Sequence, residues 1–592
     1  MSDSKDHAYA SGLARRGFSF LVLLAAVGCS ADTGVEPADL LLVNGSVYTF
    51  AWDDPALDGT PAANAPFDAD GWHPDAAALA VRDREIVFVG SDREAQAYRG
   101  SETEVIDVAG STVLPGFVDS HTHIAGLGAN LERVNLVDVT SEAEMVERVA
   151  ARAAEVEPGE WIVGWGWDEG AWADRYPDNR LLSELVPDNP VILRGLHGFA
   201  VLGNRMAFEL AGITEETEAP VGGEIRLDPH GKPTGVLVNN ATNLLDDALP
   251  EVTQARLEAR VLAGLQAMAA SGYVAVHEAG ADAALMRAFE NLEREGRLPI
   301  RVYAMLSDDD EGLLREWLDR GPDIDPEGML TTRCVKAFYD GALGSRGAKL
   351  LEDYSDMPGH TGVGGDEYGF DGGIIAEMMA AGFQLAMHAI GDAGNRETLD
   401  YIDSVYREHP DARINRHRIE HAQVVHPDDF ERFAELDLIA SMQPAHAVED
   451  KAWAEDRLGP ERLKGAYAWR TLRREGVDLT FNSDLPGSDH DIFYGLHAAI
   501  TRRDKEMQPP GGWYPEQRMT PEEAVRGYSV WAAFSAFLED RTGVLEPGRW
   551  ADITVIDIDP LVVGTANPEQ LFDGSMQLTV VGGEVVYRRE SR

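Results

Sequence analysis

Lysine is nearly missing from this 592-residue chain: Lys5, Lys232, Lys336, Lys349, Lys451, Lys464 and Lys505 are the whole supply. Positive charge is short altogether, with 51 Lys and Arg against 102 Asp and Glu, a net charge of -51 spread along the chain. Phosphates would be repelled, which argues against nucleic acid as a partner. An acidic, lysine-poor surface is compatible with a salty medium, where screening weakens self-repulsion. Cysteine is scarcer still, with only Cys29 and Cys334. The apolar run near the N-terminus is about a dozen residues, short of the ~20 that a helix needs to span a bilayer. Apolar residues make up 44% of the chain, ample for a large core, and the length implies more than one domain.

That short run follows Arg15-Arg16-Gly17-Phe18 and ends at Ala26-Val27-Gly28-Cys29. A basic start, an apolar middle and small residues mark residues 1–28 as a signal peptide, outside the fold. The ending resembles a bacterial lipobox, which implies cleavage before Cys29 and lipidation of its thiol. The expected location is the cell envelope, with the membrane touched only through the lipid anchor. Ala26 stands where a larger aliphatic residue is usual, so simple secretion is the alternative. Arg15-Arg16 also resembles a twin-arginine signal, and either export route fits. With Cys29 lipidated no intramolecular disulfide is available, and the core alone must hold the mature chain.

Residues 29–39 read as a tether. Leu40 to Phe50 reads as strand, Asn44-Gly45 turn, strand, and Ala78 to Gly90 as a second hairpin, followed by Val105–Val108. Residues 51–77, rich in Asp, Ala, Pro and Gly, read as a surface insertion. The same short-strand pattern returns at Ala551–Asp557 and Leu578–Tyr587. Both chain ends, 40–112 and 540–592, are therefore expected to build one β-sandwich.

Between them, 113–539 alternates apolar strands with helical patterns, the α/β signature of a TIM-type (β/α)8 barrel. Eight candidate strands are Val113–Asp119, Tyr273–Glu278, Ile300–Leu306, Cys334–Asp340, Gln384–Ala389, His417–His421, Leu438–Gln443 and Leu479–Ser483. About 150 residues separate the first two, so a large insertion, 126–255, is expected over the mouth. Its Trp161, Trp165 and Trp167 read as core rather than a substrate stack.

Five of these strands end in residues able to bind or serve a metal: His121 and His123, Lys336 with Asp340, His388, Glu420-His421, and Asp484. Alternate residues of a strand share a face, so His121 and His123 suit one cation. Barrel strands deliver their C-terminal ends to one mouth, which turns scattered residues into a candidate centre. Lys336 sits between Val335 and Ala337. Burial lowers a lysine's pKa, and a neutral amine can add carbon dioxide to become a carbamate able to bridge two metal ions.

The segments Pro115-Gly116-Phe117-Val118-Asp119-Ser120-His121-Thr122-His123, Gly164 to Glu169, Pro233 to Leu237, Asp340 to Arg346, His388 to Asp392, Arg418 to Gln423 and Asn482-Ser483-Asp484 resemble, in order and spacing, the amidohydrolase superfamily, in particular its YtcJ-like (amidohydrolase 3) branch. The resemblance spans Leu41 to Tyr587. It implies the barrel plus sandwich, one or two divalent ions of which zinc is the expected one, and His121, His123, Lys336, His388, His421 and Asp484 as the metal-site set. Two departures bear on substrate identity. His197-Gly198-Phe199, before Asn204, stands where Asp-Gly-His is usual, and His277-Glu278-Ala279-Gly280 where His-Asp-Ala-Gly is usual.

The expected reaction is hydrolysis of a carbon–nitrogen bond in a small amide, carbamate or cyclic amide. Metal-activated water attacks, and Asp484 acts as general base and then acid. Ester, phosphoester or deamination chemistry on the same site is one alternative, and a non-catalytic surface binding lipoprotein is another. Asp392 is expected either to fix an imidazole or to cap a helix. His417, Gln443 and His446 lie near strand ends, within reach of a substrate. A homo-oligomer is compatible with the sequence.

Overall fold

The computed structural model describes residues 35–137, 139–168, 176–195, 200–324 and 327–590. The export segment, Cys29 and His197-Gly198-Phe199 lie outside them. No helix among the described residues is long and apolar enough to cross a membrane.

Eight parallel strands follow one another in sequence order around a single sheet: Phe117–Thr122, Tyr273–Ala281, Arg301–Ser307, Leu330–Phe338, Gln384–Ala389, Arg418–His421, Ile439–Met442 and Asp478–Phe481. They are buried on both faces, as parallel strands covered by helices must be. Beside the first and last strands, Ser120 Oγ donates to the Phe481 carbonyl at 3.0 Å. Just beyond their ends, the Asp484 N–H bonds the His121 carbonyl at 3.1 Å, and the His123 N–H bonds the Leu485 carbonyl at 2.9 Å. The covering helices form for ordinary reasons. In Ala283–Arg294, for example, Asp282 caps the N-terminus by accepting from Leu285 N–H, and Leu285, Phe289 and Leu292 line the inward stripe.

The first barrel strand differs from its expected span of Val113–Asp119. Thr112–Pro115 belongs to the sandwich, pairing with Ile553–Ile556, and the barrel strand starts at Phe117. Gly116 is the crossing point. A Cβ there would lie 2.3 Å from Val274 Cγ1, so only glycine lets the chain pass against the second strand.

The sandwich has two sheets. One orders Glu85–Gly90, Ala78–Arg82, Leu40–Val43 and Glu104–Asp107. The other orders Ser46–Val47, Thr112–Pro115, Ile553–Ile556, Met576–Val581 and Glu584–Arg588. Leu40, Leu79, Val81, Val113, Ile553 and Val580 pack between them. The expected first hairpin is therefore not one. Asn44-Gly45 carries the chain from one sheet to the other, with Asn44 at φ 59°. Residues 51–77 are likewise not wholly a surface insertion. Trp52 is buried with Nε1 donating to Glu522 at 2.7 Å, and Asp54 pairs with Arg526 at 2.8 Å.

The insertion after the first barrel strand is a six-stranded sheet: Val134–Asn135, Ile162–Trp167, Val191–Gly195, Ala200–Gly203, Pro233–Asn239 and Gly223–Leu227. It has its own core, to which Leu136, Met145, Trp167 and Leu193 belong. Trp167 is core as expected, whereas Trp165 is exposed. Asn204 holds this sheet together, its side chain bonding Val191 N–H, Ala207 N–H and the carbonyls of Val186 and Asn189.

Candidate active site

His121, His123, Lys336, His388, His421 and Asp484 line one cavity of about 370 Å³ at the C-terminal rim of the barrel. Asp484 stands between the paired imidazoles, with Oδ1 3.3 Å from His123 Nε2 and 3.5 Å from His121 Nε2. The rings of His388 and His421 lie 4.5 Å apart, and those of His121 and His421 5.2 Å apart. No residue lining this cavity comes from the described part of the insertion.

Two of the imidazoles, His121 and His421, are held from behind by hydrogen bonds. His121 Nδ1 lies 2.6 Å from Glu420 Oε2, with both residues buried. Burial, helped by Lys336, pushes the His121 pKa down to about 4, so the ring is neutral at pH 7. The contact is therefore an N–H donated to a carboxylate, and Nε2 is left facing the cavity. That Nε2 is buried and has no hydrogen-bond partner among the described residues. His421 Nδ1 meets Gln443 Oε1 at 3.0 Å, and Gln443 Nε2 donates to Asn482 Oδ1 at 2.8 Å. Burial, with His388 nearby, keeps His421 neutral as well. An amide oxygen can only accept, so Nδ1 carries the proton and Nε2 turns to the cavity. His421 and Asp484 both take left-handed backbone, with φ 73° and 54°. Such strain persists where the surroundings fix it, and it aims both side chains inward.

Glu420 is tied in turn to Arg418, whose Nε lies 2.8 Å from Oε1. The Arg418 guanidinium also meets His277 Nδ1 at 3.0 Å, the Ser120 carbonyl at 2.7 Å and Ser441 Oγ at 3.0 Å. Burial opposes ionisation of Glu420, but Arg418, His121 and Lys336 outweigh it and hold the carboxyl well below its usual range. Asp119 clasps the first strand to the loop after the eighth, accepting from Ser483 N–H at 3.1 Å and from Ser483 Oγ at 2.6 Å. Lys336 is 1% exposed. Its Nζ lies 4.1 Å from the Phe338 ring centre, and burial lowers its pKa against the pull of Glu420 and Asp484.

Several expectations need revision. Asp392 neither fixes an imidazole nor occupies the helix cap, which is Gly391. Its Oδ1 accepts from Leu351 and Ala393 N–H. Asp340 is the acid beside His388, 3.4 Å from Nδ1, and it also binds the backbone of Lys349, Ile390 and Gly391. Glu278 is buried, accepting from Ile124 N–H at 2.8 Å, so that departure shapes the support of the site rather than its surface. His417 lies away from the cavity. It accepts from Leu385 N–H at 2.8 Å through Nδ1, and its Nε2 faces the Ala412 carbonyl. His446 does line the cavity, its ring near-parallel to that of His421 and its Nε2 3.9 Å from Asp484 Oδ2.

Neutral imidazoles with free Nε2 atoms and an ionised carboxylate are donors that suit a divalent cation. Burial opposes ionisation of Asp484, but His121 and His123 outweigh it and keep the carboxyl well below the ordinary range. His121, His421 and Asp484 each offer one donor atom within 4.8 Å of the others. Fold and site together define a barrel enzyme with a nitrogen-and-oxygen donor centre at its C-terminal rim.

The chain belongs to the amidohydrolase family, whose family profile matches residues 104–587. It is 31% identical to the YtcJ protein of Bacillus subtilis over 521 residues, covering 86% of this chain and 96% of the relative. It is 27% identical to an N-substituted formamide deformylase of Arthrobacter pascens, covering 87% and 95%. Among solved structures, a metal-dependent hydrolase of Pyrococcus furiosus superimposes with a TM-score of 0.68 at 28% identity, covering 88% of this chain and 99% of that one. The protein is thus a hydrolase acting on carbon–nitrogen bonds.

Proposed function

We propose that this protein hydrolyses the carbon–nitrogen bond of a small amide-like substrate with the help of a divalent metal, zinc being the ion these donors suit best. The metal would be held by His121, His123, Lys336, His388, His421 and Asp484. The observation that carries the reading is Asp484 Oδ1 within 3.5 Å of both His121 Nε2 and His123 Nε2. A divalent cation bound there supplies Lewis acidity and brings the pKa of its water toward ~7. Asp484 accepts the proton of the attacking water and returns it to the leaving nitrogen, so that a C–O bond forms and the C–N bond breaks. Glu420 and Gln443 keep their imidazoles in one tautomer. Burial lowers the Lys336 pKa, and its amine, once deprotonated, would add carbon dioxide with release of one proton to give a carbamate able to join the donor set. The names of the Arthrobacter deformylase and the Pyrococcus hydrolase support bond type and metal dependence.

The test is metal analysis of the purified protein together with turnover of a formamide and amide panel by wild type and D484N at matched metal content. A kcat loss of about 10²–10⁴-fold is expected in the variant. Full activity in D484N would sink the role of Asp484, and activity surviving removal of all metal would sink the metal. For the chain's destination we propose export and lipidation at Cys29. Radiolabelled fatty acid should enter the wild type and not C29S; equal labelling would refute the anchor.

A further inference from the structure

A second cleft, of about 420 Å³, opens on the seam between the inserted sheet and the barrel, and none of the metal-site residues lines it. One side comes from the barrel helices Ile124–Glu132 and Gln254–Ala270 and the turn before the second of them. The other comes from the insertion, chiefly the strands Ile162–Trp167 and Val191–Gly195.

Five arginines line this cleft: Arg133, Arg152, Arg194, Arg256 and Arg260. The chain around them carries a net charge of -51, so the gathering runs against the composition. The lining holds only three carboxylates, those of Glu132, Glu160 and Glu251. Glu132 serves two guanidinium groups at once, its Oε2 lying 3.0 Å from Arg256 Nη2 and 2.8 Å from Arg260 Nη2. Arg194 and Arg152 pair with Asp246 and Glu155 beyond the lining. Arg133, open to solvent at the rim, has no carboxylate partner among the described residues. Its Nη1 donates to Asn130 Oδ1, a neutral acceptor, at 2.7 Å. Partial cover, then the like charges of Arg194 and Arg260, lower its pKa.

This crowding is built into the backbone. A Cβ on Gly128 would lie 2.0 Å from the Arg260 carbonyl oxygen, and one on Gly264 2.7 Å from that of Ile124. The two barrel helices therefore meet backbone to backbone, and Arg133, Arg256 and Arg260 leave one tightly packed pair. Like charges held this close are relieved by an anion among them. Apolar groups complete the cleft: Trp161 and Leu249 are half-buried, and Val252 is 50% exposed.

We propose that this cleft binds a small organic anion, a carboxylate or phosphate ester on an apolar body, with its charged end at Arg133, Arg194 and Arg260 and its body on Trp161 and Val252. Guanidinium groups are natural partners of such oxyanions. The apolar wall favours an organic guest over inorganic phosphate. Because the two sides of the cleft belong to different units, an occupant ties the insertion to the barrel.

Calorimetry on the metal-loaded protein tests this with phenyl phosphate, benzoate, inorganic phosphate and benzyl alcohol. At least one of the two organic anions should bind about tenfold tighter than inorganic phosphate, and the tighter of the two identifies the head group. Benzyl alcohol, which lacks the charge, should not bind. R133Q should weaken the organic anion about tenfold and R133K less, because lysine keeps the charge. V252E, which sets a carboxylate on the exposed wall, should abolish binding. Arg133 and Val252 are both open to solvent, and unchanged urea midpoints would verify that the variants fold. No binding of either organic anion, equal binding of inorganic phosphate or benzyl alcohol, or affinity undiminished in R133Q and V252E, as a ligand seated at the metal centre would give, would overturn the inference.

Discussion

Replacing Glu420 with glutamine tests the support of the site and the interior of the barrel together. Glu420, Arg418 and His121 are all buried, and Glu420 is ionised. Glutamine keeps the shape and an acceptor for His121 Nδ1–H but removes the charge that faces Arg418 at 2.8 Å. A guanidinium cannot discharge itself by losing a proton, so E420Q leaves a buried cation uncompensated. Removing one partner of such a pair costs about 3–5 kcal/mol. The neutral acceptors on Arg418, from Ser120, Ser441 and His277, place the expectation at the lower end, about 3 kcal/mol. Urea unfolding of the metal-free protein measures this without reference to any ligand. R418M in the same background removes the stranded charge, so the double variant should fall short of the sum of the singles by about 1–3 kcal/mol. Metal affinity, measured by competition with a chelator, should drop about 10–100-fold in E420Q, because the less basic His121 is a poorer donor. A wild-type unfolding midpoint in E420Q, or strict additivity in the double variant, would refute the argument about the buried pair. Undiminished metal affinity would refute the coupling of Glu420 to His121.

Two further outcomes follow from the support of the barrel. G116A puts a Cβ 2.3 Å from Val274 Cγ1 and should cost about 1–3 kcal/mol in urea unfolding, with part recovered by V274A; an unchanged midpoint would show that the crossing has room to spare. Burial holds His417 neutral, with its pKa lowered to about 4, while the unfolded chain takes up that proton near 6.5. Its contribution is therefore complete above about pH 6.5 and lost as pH falls toward 4, up to about 3 kcal/mol, so H417Q should show a flatter acid limb between pH 7 and 5. Parallel limbs would exclude it.

What could be read from the sequence follows from how far each signal reaches along the chain. All eight barrel strands are legible because a strand buried on both faces is a continuous apolar run, and Gln384–Ala389 is found with its observed ends. The error at the first strand is of another kind. Val113-Leu114-Pro115 and Phe117-Val118 form one apolar run, and nothing local says that the chain changes sheets at Gly116. The reason is Val274, more than 150 residues away, whose methyl groups leave no space for a side chain. Asn44-Gly45 misleads in the same way. It is a good hairpin turn by itself, but Leu40–Val43 finds Ala78–Arg82 and Glu104–Asp107, and Ser46–Val47 finds Thr112–Pro115.

The site divides along the same line. His121, His123, His388, His421 and Asp484 show themselves because each ends a strand. Strand ends of a barrel must meet, so position in sequence stands in for position in space. Glu420 and Arg418 are visible as charges inside the candidate strand that ends at His421, and alternation puts both on one face, toward the barrel interior. The signal was there, but its meaning needed His121, which approaches from three hundred residues earlier. Glu449 and Asp450 gave no such sign. They sit on the short helix Pro444–Asp450 in a chain with 102 acidic residues, where two more carboxylates look like surface. That they line the cavity beside His421 and Asp484 can be seen only once the fold is known. Strand-borne donors are thus legible from the chain. The side chains that would choose a substrate ride on the loops and short helices beyond the strands, where local sequence fixes neither direction nor company.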